Sequence, residues 1–324
     1  MQKTLFLTSQ DIKEIIDMDM VIKAVEDAFR LQGRGKTIMP PKIYLHLDEY
    51  NGDFRAMPAY VNESAGLKWV NVHPNNPAGQ NLPTVMATII YSDPGTGFPL
   101  AIMDGTLITN YRTGASGAVA SKYLAGKDSR SLGLIGSGAQ AQSQLDAVRR
   151  VFGLNEVCVY SKNLSSANAF VEKNTRHGAR TTSLEEAAGC DIVCTTTPVR
   201  EPIVYRTMIK EGTHINAIGA DAPGKEELDP LILKEAKVVV DDIRQAVHSG
   251  EINVPVSKGF FAPEDISATL GEVVAGFKRI RTGNEITVFD STGLAIQDIA
   301  TAKIVYEQAK QRGIGCELEM IEAG

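Results

Sequence analysis

The run Gly136-Ser137-Gly138-Ala139-Gln140-Ala141 fits G-x-G-x-x-A. It lies between an apolar strand pattern, SLGLI, and a helical pattern that sets Leu145, Val148 and Phe152 on one face. In that setting the residue types suit phosphate chemistry. Gly136 allows the tight turn, Gly138 lets the backbone approach a pyrophosphate, and Ala141 permits close helix–strand packing. A helix N-terminus adds N–H groups and the positive end of its dipole. A dinucleotide is the expected ligand. The next strand pattern, EVCVY, runs into Ser161-Lys162-Asn163 and offers no Asp or Glu to an adenosine ribose. A hydroxyl and a cation at that point favour NADP(H) over NAD(H). Read as plain turn residues, they would leave NAD(H) to Asn163.

Ligands of an open parallel sheet bind beyond the carboxyl ends of its strands. Three segments leave such ends: Thr197-Pro198-Val199, Gly219 to Lys225, and Thr292-Gly293-Leu294, the last directly after Ser291, which with Thr292 and Gly293 is expected to face the cofactor. Asp221 is the first carboxylate after the apolar run THINAIG. It could exchange a proton beside a carbon that gains or loses hydride; an Asx-turn or a helix cap would use the same residue type. Lys42, Arg55, Lys68 and Arg112 supply cations from the first part of the chain. Facing one cleft, they would hold a small carboxylate, an arginine by its bidentate fork. Taken singly, each could be a surface charge snorkelling off a sheet. Lys68 stands out, because it interrupts the apolar run GLKWVNV.

Two kinds of scaffold must position these groups. An apolar strand at Thr4–Leu7 and two helical patterns open the chain, with Gly33 and Gly35 as stop signals. KIYLHL, RAMPAYV, GLKWVNV, TVMATIIYS and PLAIMD then read as a mainly antiparallel sheet. From about residue 115, strands alternate with helices, and Ser183 and Glu186 form a capping-box pattern. That alternation predicts a parallel sheet covered on both faces. The fold class is therefore α/β: a Rossmann-type parallel domain over 115–293 and a mainly antiparallel α+β domain over 1–114. A last helix, about 294–312, is expected to pack back on the first domain.

Composition narrows the class. A length of 324 residues suggests two domains. Lys plus Arg number 33 against 39 Asp plus Glu, for a formal charge of −6, which argues against nucleic acid or an anionic membrane as partner. The start, MQKTLFLTSQD, lacks the apolar core of a signal peptide, and no apolar run is long enough to span a bilayer, so a cytoplasmic protein is expected. Cys158, Cys190, Cys194 and Cys316 form no CxxC pair, and Cys190 and Cys194 read as buried thiols. The histidines do not cluster at metal spacing, and His73 reads as a loop residue, so no metal is expected. GxSxG, HExxH and Walker motifs are missing.

The runs MPPK, RAMPAY, GLKWVNVHPNNP, LPTVMATII, YRTGA, GSGAQA, TTTP, INAIGADAPGKEEL, GEIN and FDSTGLAIQD carry a family resemblance. Over residues 7 to 312 the chain resembles the ornithine cyclodeaminase/mu-crystallin family, and within it the archaeal-type alanine dehydrogenase branch. The resemblance implies a substrate-binding and dimerising domain over 1–114, joined by the C-terminal segment 294–324, with a Rossmann domain between. It implies hydride transfer at the α-carbon of an amino or imino acid and a homodimer formed through the N-terminal domain.

Residue by residue, the resemblance makes Asp221 and Lys68 catalytic and Arg112 a ligand of the substrate carboxylate. Lys42 and Arg55 become cleft residues, and Thr84 a neighbour of the nicotinamide. Thr113 becomes a phosphate contact, with Ser137, Ala139 and Gln140 in the phosphate loop. Bacterial ornithine cyclodeaminases carry a glutamate where this chain has Arg55. A cation there would repel a distal ammonium, which argues against ornithine. The expected reaction joins pyruvate, ammonia and NAD(P)H to give alanine. Alternatives are reduction of a cyclic imine such as Δ1-pyrroline-2-carboxylate, ornithine cyclisation, or NADPH binding without turnover.

Overall fold

The computed structural model describes residues 2–322. The chain forms two compact units. Unit one runs through Arg112 and resumes at Leu294; unit two is Thr113–Gly293. The division falls inside a helix, Gly105–Leu124, between Arg112 and Thr113.

Unit one holds β1 (Thr4–Leu7), β2 (Thr37–Ile38), β3 (Ile43–Leu47), β4 (Gly52–Val61), β5 (Ser64–Val72), β6 (Val85–Ser92) and β7 (Pro99–Asp104). Together with Cys316–Leu318 they make an eight-stranded sheet, antiparallel except where β1 runs beside β7. Its register places Met57 opposite Lys68 and Arg55 opposite Val70. Strand alternation therefore puts Arg55, Met57, Lys68 and Val70 on one face. The helix Ala295–Arg312 lies against β4, β5 and β6, and Met18–Gly33 packs beside that helix. Met18–Gly33 buries Val21, Ile22, Val25 and Phe29. Asp17 caps its start by accepting the N–H groups of Asp19 and Met20. The opposite sheet face leaves Ile43, Leu45, Trp69 and Ile90 exposed, with Trp69 stacked on Phe54.

Unit two holds β8 (Ser131–Ile135), β9 (Glu156–Tyr160), β10 (Ala179–Thr181), β11 (Ile192–Thr195), β12 (His214–Ala217), β13 (Lys237–Val240), β14 (Ala268–Thr269) and β15 (Thr287–Asp290). They pair in parallel in the order β10-β9-β8-β11-β12-β15-β13-β14. The order reverses at β8, which has β9 on one side and β11 on the other. Such a reversal opens a crevice at the carboxyl ends of the two strands. Every residue of β11, β12 and β15 is buried, as expected for strands covered on both faces. One core gathers Leu132, Leu134, Leu145, Val148, Val159 and Phe170; another gathers Ile215, Ile232, Leu233, Val238 and Val288.

The expected capping box at Ser183 forms only in half. Ser183 accepts the Glu186 N–H, but the Glu186 carboxylate pairs with Arg180 instead of returning to the cap. An arginine on the neighbouring strand is a stronger partner than a neutral amide.

Candidate functional site

In unit one, three of the predicted residues sit on or beside the covered sheet face. Lys68 rises from β5 and is 1% exposed. Its Nζ lies 2.7 Å from Oδ2 of Asp298, a fully buried residue in the first turn of Ala295–Arg312. The same Nζ donates to the Thr109 hydroxyl at 3.4 Å. Arg112, on the helix Gly105–Leu124, donates through Nε to Asp298 Oδ1 and through Nη1 to Gln297 Oε1, both at 3.0 Å. One carboxylate thus bridges two buried cations. Burial and the Arg112 charge bring the Lys68 ammonium down to about 7, against the pull of Asp298. Lys42 is close enough to lower it further.

Arg55 shares the face but is not a bare charge. Its guanidinium clasps Asp53 in two-pronged fashion, at 2.7 and 3.2 Å, and lies 5.3 Å from the Tyr44 ring centre. The Thr84 carbonyl accepts the His73 N–H at 2.8 Å. The His73 ring is edge-on to Phe54 and bonded to Asn71 at 3.0 Å, the packed setting of a structural histidine.

In unit two, the glycine turn joins β8 to the helix Ala139–Val151. Gly136 has φ +115°, a conformation that a side chain resists. Its N–H is held by the Tyr160 carbonyl at the end of β9. Gly138 is the N-cap, and no side chain caps that helix. A Cβ on Gly138 would meet nothing within 4 Å, so the backbone there is open to a ligand. These features fit a dinucleotide pyrophosphate. At the end of β9, Ser161 is half-buried and Lys162 exposed, while Asn163 spends its side chain on capping Leu164–Asn174. Thr113 is buried, and its carbonyl accepts from Gln144.

The segments after β11, β12 and β15 hold Thr197-Pro198, Gly219 and Ser291-Thr292-Gly293. Asp221 is 36% exposed at its side chain, and Lys225 Nζ lies 2.5 Å from its Oδ1. Asp241 fixes the last of these segments, taking the Thr292 hydroxyl at 2.8 Å and the Gly293 N–H at 2.7 Å. Elsewhere in unit two, Glu156, Cys158 and Glu186 bring ligand atoms within 4.8 Å of one another, but Arg180 pairs with both carboxylates.

Sequence reading missed Asp298, Gln297, Lys225 and Glu227. Asp298 lies in the quoted run FDSTGLAIQD, and a carboxylate inside an otherwise apolar helix start was a usable signal. Glu227 likewise lies in the quoted run INAIGADAPGKEEL, but adjacent glutamates in a loop look solvated.

Residues 2–313 match the ornithine cyclodeaminase/mu-crystallin family. The chain is 54% identical to an alanine dehydrogenase of Archaeoglobus fulgidus over 98% of each chain. Among solved structures it matches an archaeal alanine dehydrogenase dimer with bound NAD, at 54% identity and a TM-score of 0.96, over 99% of this chain and 100% of that one. It also matches Δ1-pyrroline-2-carboxylate reductase of Thermococcus litoralis in complex with NADH and L-proline, at 40% identity and a TM-score of 0.94, over 97% of this chain and 100% of that one. The matched span takes in the Lys68–Asp298–Arg112 cluster, the glycine turn and the strand-end segments alike. The chain belongs to the ornithine cyclodeaminase/mu-crystallin family.

Proposed function

We propose that this chain is a nicotinamide-dependent oxidoreductase acting at the α-carbon of a small amino acid, with L-alanine formed from pyruvate and ammonia as the leading reaction. The observation that carries the reading is the buried pairing of Lys68 and Arg112 with a single carboxylate, Asp298. Two cations against one anion leave positive charge in a site shielded from water, which a monoanionic carboxylate offsets. Arg112 and Lys68, assisted by Lys42, bind that carboxylate, and its arrival favours the protonated form of Lys68. Asp221 exchanges the proton at the amine or imine nitrogen or at the carbinolamine oxygen, and Lys225 holds its side chain in place.

The residues that would hold the cofactor are Gly136 to Gln140, Thr113, Thr84, Thr197, Pro198, Gly219 and Ser291 to Gly293. When bound, its nicotinamide supplies or accepts hydride at the α-carbon. Ser161 and Lys162, in place of a carboxylate, support a preference for NADP(H), although the alanine dehydrogenase and pyrroline-carboxylate reductase structures hold NAD and NADH. Titration with NADPH and NADH separates the two, and a tighter NADH complex would overturn the preference. The exposed face with Ile43, Leu45, Trp69 and Ile90 supports a homodimer formed through unit one. Sedimentation of an Ile43→Lys variant as a monomer is the expected result.

Reduction of Δ1-pyrroline-2-carboxylate is the second reading, favoured by the 40% identical reductase with NADH and L-proline. It needs the same carboxylate clamp and proton donor but no ammonia. NAD(P)H oxidation with pyruvate, with and without ammonium, and then with the cyclic imine, decides between them. Glu is missing at the Arg55 position, where the Arg55 cation, paired with Asp53, argues against the distal ammonium of ornithine. Asp221→Asn should lower kcat by about 10²–10⁴-fold with cofactor affinity kept, and normal turnover would remove Asp221 from the mechanism.

A further inference from the structure

Glu227 is fully buried in unit two, and both of its oxygens are engaged. Oε1 accepts the Thr197 N–H and the Thr197 hydroxyl, each at 2.6 Å. Oε2 accepts the Thr195 hydroxyl at 2.7 Å and the Gly219 N–H at 2.8 Å. Thr197 follows β11 and Gly219 follows β12, and these strands are neighbours in the sheet. One carboxylate therefore ties two adjacent strand ends together. The fit is close, since a Cβ on Gly219 would stand 2.6 Å from Glu227 Oε2 and 2.2 Å from the Thr197 carbonyl.

Glu227 is itself held from behind. Glu251 Oε1 accepts the N–H groups of Glu227 and Leu228 at 2.8 and 2.6 Å. Asp290, at the end of β15, accepts those of Glu251 and Ile252 at 2.9 and 3.2 Å. The two glutamates differ in one respect. Each oxygen of Glu227 faces a backbone N–H, which can only donate. An amide has one accepting oxygen and one donating NH₂, so either orientation of a glutamine would aim NH₂ at an N–H. Glu251 places both N–H groups on one oxygen, and its Oε2 meets no partner among the described residues. A glutamine keeps both of those bonds through its carbonyl oxygen.

We infer that Glu227 is a positioning residue for the proposed reaction: its carboxylate sets the spacing between Thr197 and the segment that runs from Gly219 to Asp221. The inference rests on the reading of those segments as cofactor-binding and proton-transferring. The alternative is a buried acid that serves stability alone.

The test measures NADH affinity by fluorescence, steady-state kinetics and melting temperature on the full chain. Glu227→Gln should weaken NADH binding and lower kcat together, with kcat/KM down about 100-fold, the usual scale for a small misplacement of reacting groups. Glu251→Gln, which keeps both bonds to the Glu227 and Leu228 N–H groups, should lose far less than Glu227→Gln in both. Leu233→Ala, a core substitution in unit two, gives the loss that reduced stability alone would cause. Should Glu227→Gln not fold, Thr195→Val removes one donor to the same carboxylate and should weaken NADH roughly three- to tenfold, the worth of one hydrogen bond. Unchanged NADH affinity and kcat in Glu227→Gln, or in Thr195→Val where that stands in, would overturn the inference. So would an equal loss in Glu251→Gln, or in Leu233→Ala at a matched melting temperature. Failure of the wild-type chain to bind NADH or NADPH would instead overturn the proposed function.

Discussion

Each unit buries ionisable side chains, but the two units partner them in different ways. In unit one, Lys68 and Arg112 are matched by the carboxylate of Asp298, so ion meets ion. In unit two, Glu227, Glu251, Asp241 and Asp290 are matched by backbone N–H groups and hydroxyls. A buried ion pair is a local balance that an incoming anion can join. A carboxylate gripped by N–H groups binds pieces of main chain to one another, because those donors cannot move without the backbone. The first arrangement suits a site that must bind a ligand, and the second suits loops that must be held still.

The sharpest way to break this contrast is to remove the shared anion of unit one. Asp298→Asn leaves Lys68 and Arg112 without their counter-charge and should cost about 3–5 kcal/mol in denaturant unfolding. A loss below about 1 kcal/mol, the value of an exposed pair, would mean that the cluster is not held by charge.

The second effect is a slope with pH, of opposite sign in the two units. Burial pushes the Asp290 carboxyl up to about 8, aided by nearby Asp241. Between the ordinary carboxylate range and pH 8 the folded state then holds more protons than the unfolded chain. Stability from this group therefore falls as pH rises, by at most ~1.4 kcal/mol per unit, and levels off above 8. Asp290→Asn turns an NH₂ toward one of the two N–H groups and so lowers stability at every pH, but it should flatten that fall in hydrogen exchange of unit two, and an unchanged slope would exclude Asp290 as its source.

Lys68 gives the smaller effect. Held at about 7 against an ordinary value near 10.5, it binds fewer protons in the folded state across that window. Its contribution to stability thus rises with pH from 7 to about 10.5 and is lost in Lys68→Met. Carboxylate binding should show the converse, weakening above pH 7 as the free site loses its ammonium. A binding profile that stays level from pH 6 to 9, read by calorimetry with pyruvate, would separate Lys68 from the carboxylate.

Local chemistry made part of this readable from residue order. The Gly136–Ala141 turn is legible because strand, turn and helix are contiguous, and Lys68 is legible because a lysine breaks an apolar strand. Asp298 completes the Lys68 site from the far end of the chain, and no local pattern links the two. The helix Gly105–Leu124 also escaped, since Gly105, Gly114 and Gly117 lower its propensity and tertiary packing decides the outcome. Ser183 caps the helix as its position suggests, but the carboxylate of Glu186 goes to Arg180, a competitor from outside the segment.

The outer sheet face of unit one also carries the chain's one tryptophan, Trp69, which is 41% exposed and stacked on Phe54. Indole emission shifts to the blue when water leaves the ring. The molecule thus has an intrinsic optical reporter on the surface proposed to pair, readable on dilution without any added label.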